Sequence, residues 1–174
     1  MVRSLMDRNQ LVAAAETLEE VIRLHGDANG SRPALLKQIL GNWSMFGMAP
    51  TYFASAPVEV PMTFRNAKSV KLSLTEVNEG QVMEDIIAYL RSNPGEIDYG
   101  RANFSQIGTR LIEKEGAKYL GKELRAWTQE LKPADGHADT DADLDLGKLP
   151  PGCYLLKSVM EGGNTAWVVL WVRD

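Results

Sequence analysis

Apolar residues near the N-terminus recur at the spacing of an α-helix. Between Asp7 and about Leu24 they follow one another at steps of four, three and four, and they are Leu11, Ala15, Leu18 and Ile22. Asp7 is a suitable N-cap for this helix, and Gly26 is a suitable residue to end it. The pattern therefore predicts one amphipathic helix that begins after Asp7.

A second helix is predicted shortly afterwards. Ser31 is a good N-cap, and Pro33 falls in the first turn, where its missing N–H costs nothing. This helix ends near Gly41 and turns four apolar residues inward, Leu35, Leu36, Ile39 and Leu40. Because two short helices have too little area to stand alone, residues 1–45 are predicted to form a helical hairpin that caps a neighbour or continues a helical array upstream.

Further along the chain the hydrophobic period changes to two, which is the period of a β-strand. Residues 58–64 place four apolar side chains on one face, Val58, Val60, Met62 and Phe64. The prolines at 57 and 61 indicate an edge strand or a bulge, because proline cannot donate to a ladder. Residues 65–68 form a predicted turn, and the alternation returns in residues 70–77. This region therefore predicts a β-hairpin.

Residues 81–93 interrupt the strands with a helical stripe, formed by Met83, Ile86, Ile87 and Leu90. The stripe ends at the Asn-Pro-Gly sequence of residues 93–95. We therefore predict a helical insertion around residues 81–121. Within it, residues 96–121 are expected to form a loop or short irregular elements.

The last third of the chain returns to strand patterns. Residues 124–128, 144–146, 153–159 and 166–172 are predicted strands, and the last two are joined by a hairpin turn at 161–164. Several short antiparallel strands separated by turn residues indicate a β-sandwich and not a parallel α/β sheet.

The predicted fold class is mainly β with helical additions. It is an antiparallel β-sandwich in residues 46–174, with the helical insertion inside it and the helical hairpin before it.

The last predicted strand is apolar on both faces. Ala166, Val168, Leu170 and Val172 alternate with Trp167, Val169 and Trp171. A sandwich strand usually has one polar face toward water, so something besides the opposite sheet must cover this one. The alternatives are the insertion helix, the N-terminal hairpin and a neighbouring domain, and we favour cover from within the chain. The possible interdomain contact is Trp167, Val169 and Trp171.

Length and composition place the chain among ordinary globular proteins. It has 174 residues, 44% of them hydrophobic, and a formal net charge of −4. Its mild acidity argues against contact with nucleic acid or an anionic membrane. It lacks an apolar run of the ~20 residues that a membrane span needs, and its N-terminus lacks the apolar core of a signal peptide. The chain is therefore expected to be cytosolic or a piece of a longer secreted protein.

One stretch carries enough carboxylates to raise the question of calcium, formed by Asp135, Asp139, Asp141, Asp143 and Asp145. Its start resembles the spacing of an EF-hand loop. However, Leu144 stands where the loop needs glycine, and Pro150 stands where it needs a bidentate glutamate. We expect a solvated loop running into a strand, with calcium binding no tighter than millimolar.

Candidate nucleophiles and soft metal ligands are few. His25 and His137 have no second soft ligand nearby in sequence, and zinc needs three or four ligands. The single cysteine, Cys153, lies in a Gly-Cys-Tyr-Leu-Leu sequence and is expected to be a small buried hydrophobe. No phosphate-binding loop or serine-nucleophile motif occurs. The residues thus predict no catalytic site, no metal and no cofactor.

Three segments of the β region form a recognisable series. Residues 60–72 give a strand, an Arg-Asn turn and a return strand, and residues 127–131 follow. Residues 146–156 then contain a Leu-Pro-Pro-Gly-Cys-Tyr turn that leads into the last hairpin. In this order the segments resemble the bacterial alpha-2-macroglobulins, in particular their N-terminal macroglobulin-type domains. The helical hairpin is similar to the helical lead-in of some large bacterial members.

This resemblance implies a non-catalytic structural domain of a periplasmic or extracellular protein that traps proteases. Its partners would be neighbouring domains of a longer parent chain, and proteases would be met only through that parent. The family's Cys-Gly-Glu-Gln thioester motif is missing, since Tyr154 follows Cys153, and no flexible bait segment is evident. Two alternatives stay open: a ligand- or surface-binding β-sandwich of another secreted protein, and a small enzyme that uses Cys153.

Overall fold

The computed structural model describes residues 1–102, 111 and 114–174. Its α-helices are α1 (Val2–Asp7), α2 (Leu11–His25), α3 (Ser31–Leu40), α4 (Glu79–Arg91) and α5 (Tyr99–Ala102). Its strands are β1 (Trp43–Phe46), β2 (Thr51–Phe53), β3 (Glu59–Arg65), β4 (Ser69–Val77), β5 (Leu120–Glu130), β6 (Thr140–Asp145), β7 (Gly152–Val159) and β8 (Thr165–Arg173). Short 3-10 helices span Lys114–Tyr119 and Asp135–His137.

The strands form two sheets. One has five strands in the order β2-β8-β7-β4-β5, and the other has three in the order β1-β3-β6. The pairs are antiparallel except for β2 and β8, which run parallel. The predicted fold class, a β-sandwich with helical additions, is confirmed, and among the described strands the β2–β8 pair departs from the expected antiparallel pairing.

The main core lies between the two sheets and follows the predicted alternation. On β3 the side chains of Val60, Met62 and Phe64 are buried, whereas Glu59 and Pro61 are exposed. The facing sheet contributes mainly residues of β4, β7 and β8, which are Val70, Leu72, Leu74, Tyr154, Leu156, Leu170 and Val172. Apolar alternation along the strands therefore selects which face of each sheet turns inward.

The segment that contains β1 and β2 closes one side of the sandwich, because its two strands belong to different sheets. β1 pairs with β3 in the three-stranded sheet, and β2 pairs with β8 in the five-stranded sheet. The Asn164 side chain extends this contact, because its amide donates to the Ser44 carbonyl and its oxygen accepts from the Ser44 N–H, both at 2.8 Å. The sequence did not predict β1 or β2, since strands of four and three residues show too few alternations.

The insertion helix forms near its predicted position but presents a different stripe to the sheet. α4 begins at Glu79 after the N-cap Asn78, whose side chain accepts from the Gln81 N–H at 3.1 Å. Its buried residues are Val82 and Ile86. The predicted inward residues Met83, Ile87 and Leu90 are instead 43%, 39% and 45% exposed. The expectation for residues 103–110, 112 and 113 falls outside the described residues.

The N-terminal region contains three helices where two were expected. Asp7 ends α1 and does not cap α2, and Asn9 with a φ of 57° turns the chain between them. α2 ends at Gly26, as predicted. Ser31 is the first residue of α3 and not its N-cap, a position taken by Gly30 with a φ of 83°. The division of the chain at residue 45 stays a prediction.

The C-terminus of α3 is fastened to the β3–β4 turn. Asn66 donates from its amide to the carbonyls of Ile39 and Gly41, at 2.9 and 3.0 Å. Arg65 donates to the Gln38 carbonyl at 3.3 Å. His137 donates from Nδ1 to the Asn66 oxygen at 2.8 Å, a direction fixed by the use of the Asn66 amide as a donor. These bonds satisfy carbonyls that a helix leaves without partners at its end.

Replacing Asn66 by glycine should therefore lower the free energy of unfolding by about 1–3 kcal/mol, since two hydrogen bonds to the helix end are lost while the φ of 62° is kept. Urea denaturation measures the change. Asn93→Gly is the matched control: Asn93 is also at positive φ and lies exposed after α4, so it should change stability by under about 0.5 kcal/mol. Equal effects of the two variants would contradict this role of Asn66.

Candidate functional site

The three residues predicted as a possible interdomain contact lie together on the outer face of the five-stranded sheet. Trp171, Val169 and Trp167 pair across the β7–β8 ladder with Cys153, Leu155 and Lys157. Their neighbours Leu170 and Val172 point the other way and are fully buried in the sandwich core. Both faces of β8 are therefore apolar, as the sequence indicated.

Helix α4 covers part of this outer face. Val82 and Ile86 form a buried cluster with Val77, Cys153 and Leu155. The side chains of Trp167, Val169 and Trp171 pack at the edge of this cluster and are half-buried. Cover therefore comes from Val82 and Ile86 of the insertion helix together with Leu111 and Tyr119, and it leaves part of the β8 face open to solvent.

Two ion pairs hold α4 at its two flanks. Glu79 forms a bidentate pair with Arg173 at the end of β8, with distances of 3.0 and 3.1 Å. On the other flank Asp85 pairs with Lys118, which lies next to the start of β5. The Tyr119 hydroxyl also donates to Asp85, at 2.8 Å. The helix is thus fixed between the β8 side and the β5 side of the sheet.

The ionisation of these groups follows from the pairs. The hydrogen bond from Lys118, followed by that from Tyr119, lowers the pKa of Asp85 below its usual value. The hydrogen bond with Glu79 raises the pKa of Arg173 further above neutrality. Asp85 therefore stays ionised at neutral pH and lends stability that is lost as the pH falls through its lowered folded-state pKa.

The orientation of α4 turns its remaining apolar residues to one flank of the helix. With 3.6 residues per turn, Met83, Ile87 and Leu90 lie on the same flank as Glu79, and Asp85 lies on the opposite flank. Glu79 pairs with Arg173 at the end of β8. The exposed apolar residues of this flank and the half-buried outer-face residues of β8 are together called the α4–β8 surface, and they are Met83, Ile87, Leu90, Trp167, Val169 and Trp171.

Cys153 has the environment of a packed apolar side chain. It is 2% exposed and lies under α4. Burial raises the pKa of its thiol to about 12, with a smaller contribution from the negative charge of Glu79. A cysteine nucleophile reacts as the thiolate, which this environment disfavours at neutral pH. The structure therefore gives no support to Cys153 as a reactive group.

The acidic stretch runs from the 3-10 helix at Asp135 to the end of β6, and several of its carboxylates are used in separate contacts. Asp139 pairs with Arg65 at 2.7 Å, Asp141 accepts from the Thr63 hydroxyl at 2.7 Å, and Asp145 accepts from the Gly147 N–H at 2.8 Å. Among the described residues, no three or more His, Cys, Asp or Glu side chains are grouped so that they could hold a metal.

The sequence did not predict the residues that set the position of α4. Each ion pair joins positions far apart in the chain, 94 residues for Glu79 and Arg173 and 33 for Asp85 and Lys118. A local signal was present in Asn78 and Gln81, which have the spacing of an N-cap and its third helical residue. That signal would have started the helix at Glu79.

Within the described residues, no helix is long and apolar enough to cross a membrane.

Comparisons with known proteins give a weak fold resemblance. No protein-family model matches the chain, and no curated protein matches its sequence. One similar structure is native alpha-2-macroglobulin from Escherichia coli spanning domains MG0-NIE-MG1, with 14% identity and a TM-score of 0.44. That match covers 76% of this chain and 39% of the other, so the present chain spans well under half of it.

Two further structures match over a similar part of the chain. The CARDB domain of the PF1109 protein from Pyrococcus furiosus has 11% identity and a TM-score of 0.36, with 76% of this chain and 87% of that one covered. The β-glucosidase from Listeria innocua has 8% identity and a TM-score of 0.38, with 76% and 16% covered.

Replacing Trp171 by aspartate should destabilise the protein by about 2–4 kcal/mol, because a half-buried indole is lost and a charge enters the cluster under α4. The indole also stacks with the Arg173 guanidinium, 5.3 Å from the ring centre. Leu90→Asp is the matched control on the exposed flank of α4 and should change the urea midpoint little. A Trp171→Asp variant as stable as the control would show that this tryptophan is not packed under α4.

The Cys153 thiol should react slowly with Ellman's reagent in the folded protein and stoichiometrically in urea, since burial and the raised pKa both keep the thiolate from forming. Absorbance at neutral pH follows the reaction. Complete labelling within the mixing time under native conditions would contradict the packed environment and favour the alternative of a cysteine-based enzyme.

Proposed function

We propose that this chain is a non-catalytic structural module of a bacterial alpha-2-macroglobulin-like protein, periplasmic or extracellular, that binds a neighbouring domain through the α4–β8 surface. The observation that carries the proposal is the pair of apolar features left open to solvent, the exposed flank of α4 and the half-buried tryptophans of β8. Its role would be to supply frame and interdomain contacts, and proteases would be met only by the longer parent.

The α4–β8 surface has the composition of a protein interface. Tryptophan and methionine are enriched at interfaces, and a contiguous exposed apolar region usually marks a contact site. Met83, Ile87 and Leu90 stand at helical spacing on one flank, and each is about two-fifths exposed. Arg91 and Glu84 are exposed on the same helix and would form part of a polar rim.

The residues that carry the resemblance to the macroglobulin domains have a structural role in this chain. The Arg65-Asn66 turn holds the end of α3 on the sandwich. The Tyr154 hydroxyl donates to the Pro150 carbonyl at 2.8 Å and so fixes the turn before β7. Such contacts join the helical region and the sandwich into one frame, which is what a structural module of a larger protein requires.

Methionine oxidation tests the proposed contact. Met83 is 43% exposed and Met48 is 96% exposed, so hydrogen peroxide should oxidise both in the isolated chain. The natural product is recovered from producing cells with an antibody against the chain, treated in the same way and analysed by mass spectrometry. The natural product should have a mass above the 19.2 kDa of this chain. In it Met83 should be protected from oxidation, while Met48, the internal control, should still react.

Two outcomes would contradict the proposal. A natural product with a mass of 19.2 kDa would show that the same polypeptide carries no neighbouring domain for the α4–β8 surface to bind. A longer product in which Met83 reacts as fast, relative to Met48, as it does in the isolated chain would show that the α4–β8 surface is not the contact.

A further inference from the structure

A groove lies where the N-terminal helices meet the sandwich, away from the α4–β8 surface. It has a volume of about 620 Å³, which is within the range of small-molecule sites. Met6 of α1 and Ala34 and Lys37 of α3 line one side, Trp43 and Arg65 of the sandwich line another, and the β7–β8 turn contributes Gly163. This region is called the junction groove below.

The sandwich side of the junction groove is held in place by hydrogen bonds. Asn42 donates to the Glu161 carbonyl at 2.7 Å, and Asn164 makes two bonds with the Ser44 backbone. Gly163 comes so close to Asn42 that a Cβ at this position would lie 2.3 Å from the Asn42 carbonyl oxygen. The strand and the turn therefore approach closely, and the groove wall is preorganised.

The charged residues that line the junction groove are both cations. Lys37 and Arg65 are its ionisable lining residues, and the lining contains no acid, although the whole chain has a net charge of −4. The Arg65 guanidinium is neutralised by Asp139, at 2.7–2.8 Å. Lys37, in the last turn of α3, has no acidic partner among the described residues. The Lys37 ammonium is therefore available to bind an anionic ligand.

The apolar part of the junction groove favours a flat ring. Trp43 is half-buried and offers an indole surface, with the Arg65 guanidinium 5.8 Å from the ring centre. Met6 adds a thioether, a group that packs well against aromatic rings. Of the polar residues in the lining, Asn42, Arg65 and Asn164 are bonded to other groups of the protein. The indole and the thioether therefore form an apolar patch that suits a small planar ligand.

We propose that the junction groove binds a small aromatic carboxylate, with the ring against Trp43 and Met6 and the carboxylate at the Lys37 ammonium. A single free cation matches one negative charge, whereas a phosphate dianion would need more than one. Because the helices and the sandwich both line the groove, the bound ligand stabilises their contact. This binding activity is additional to the structural role proposed above and does not depend on it.

Nuclear magnetic resonance on the 174-residue chain tests the proposal with indole-3-propionate and with its uncharged primary amide as probes. The Trp43 indole N–H signal, assigned with a Trp43→Phe variant, should shift with both probes, while the signals of Trp127, Trp167 and Trp171 stay in place. The acid should bind more tightly than the amide. Lys37→Gln should weaken the acid about two- to fivefold, as expected for an exposed ion pair, and leave the amide unchanged.

Lys148→Gln is the matched control, since Lys148 is exposed on the loop between β6 and β7 and should not change binding of either probe. Lys37 is also exposed, so its replacement should not affect folding. The proposal is overturned if Trp43 does not shift up to the solubility limit of the acid. It is equally overturned if Lys37→Gln and Lys148→Gln have the same effect, or if another tryptophan responds instead of Trp43.

Discussion

The structure depends on covering the outer face of the five-stranded sheet. β7 and β8 are apolar on both faces, so the sheet needs an apolar layer on each side. The three-stranded sheet supplies the inner layer, and the outer layer comes from Val82 and Ile86 of α4 with Leu111 and Tyr119. An uncovered outer face would expose Cys153, Leu155 and the β8 tryptophans to water, at a cost of roughly 25 cal/mol for each Å².

Packing and charge have different roles in this arrangement. The Glu79–Arg173 pair is partly exposed, at 31% and 44%, and pairs of this kind contribute little net stability. We therefore assign the stability of α4 to the buried cluster and its rotation to the ion pairs at its two flanks. This rotation leaves Met83, Ile87 and Leu90 exposed to solvent and buries Val82 against the sheet.

The sequence predicted the parts of the fold that depend on local periodicity. The alternation in β3, β4, β7 and β8 identified the strands and their inward faces, since each is long enough to repeat the pattern. β1 and β2 are too short to show a repeating alternation, and their positions depend on pairing with strands that are distant in sequence.

The candidate site was predictable only in part. The apolar face of β8 was evident from Trp167, Val169 and Trp171. The sequence did not show which residues of α4 cover this face. Met83 and Val82 are both apolar, and the ion pairs that orient the helix involve Arg173 and Lys118, which lie far away in sequence. The junction groove was not foreseen for the same reason, since it exists only once α3 and the β7–β8 turn are brought together.

The most direct test of this account is a measurement of nuclear Overhauser contacts between α4 and the sheet in the methyl-labelled protein. The account predicts contacts from the Val82 and Ile86 methyl groups to those of Leu155, and none from the Met83 methyl group to Leu155. Contacts from Met83, Ile87 and Leu90 to Leu155, with Val82 showing none, would mean that the helix is rotated the other way. The α4–β8 surface would then be buried and unable to bind a neighbouring domain.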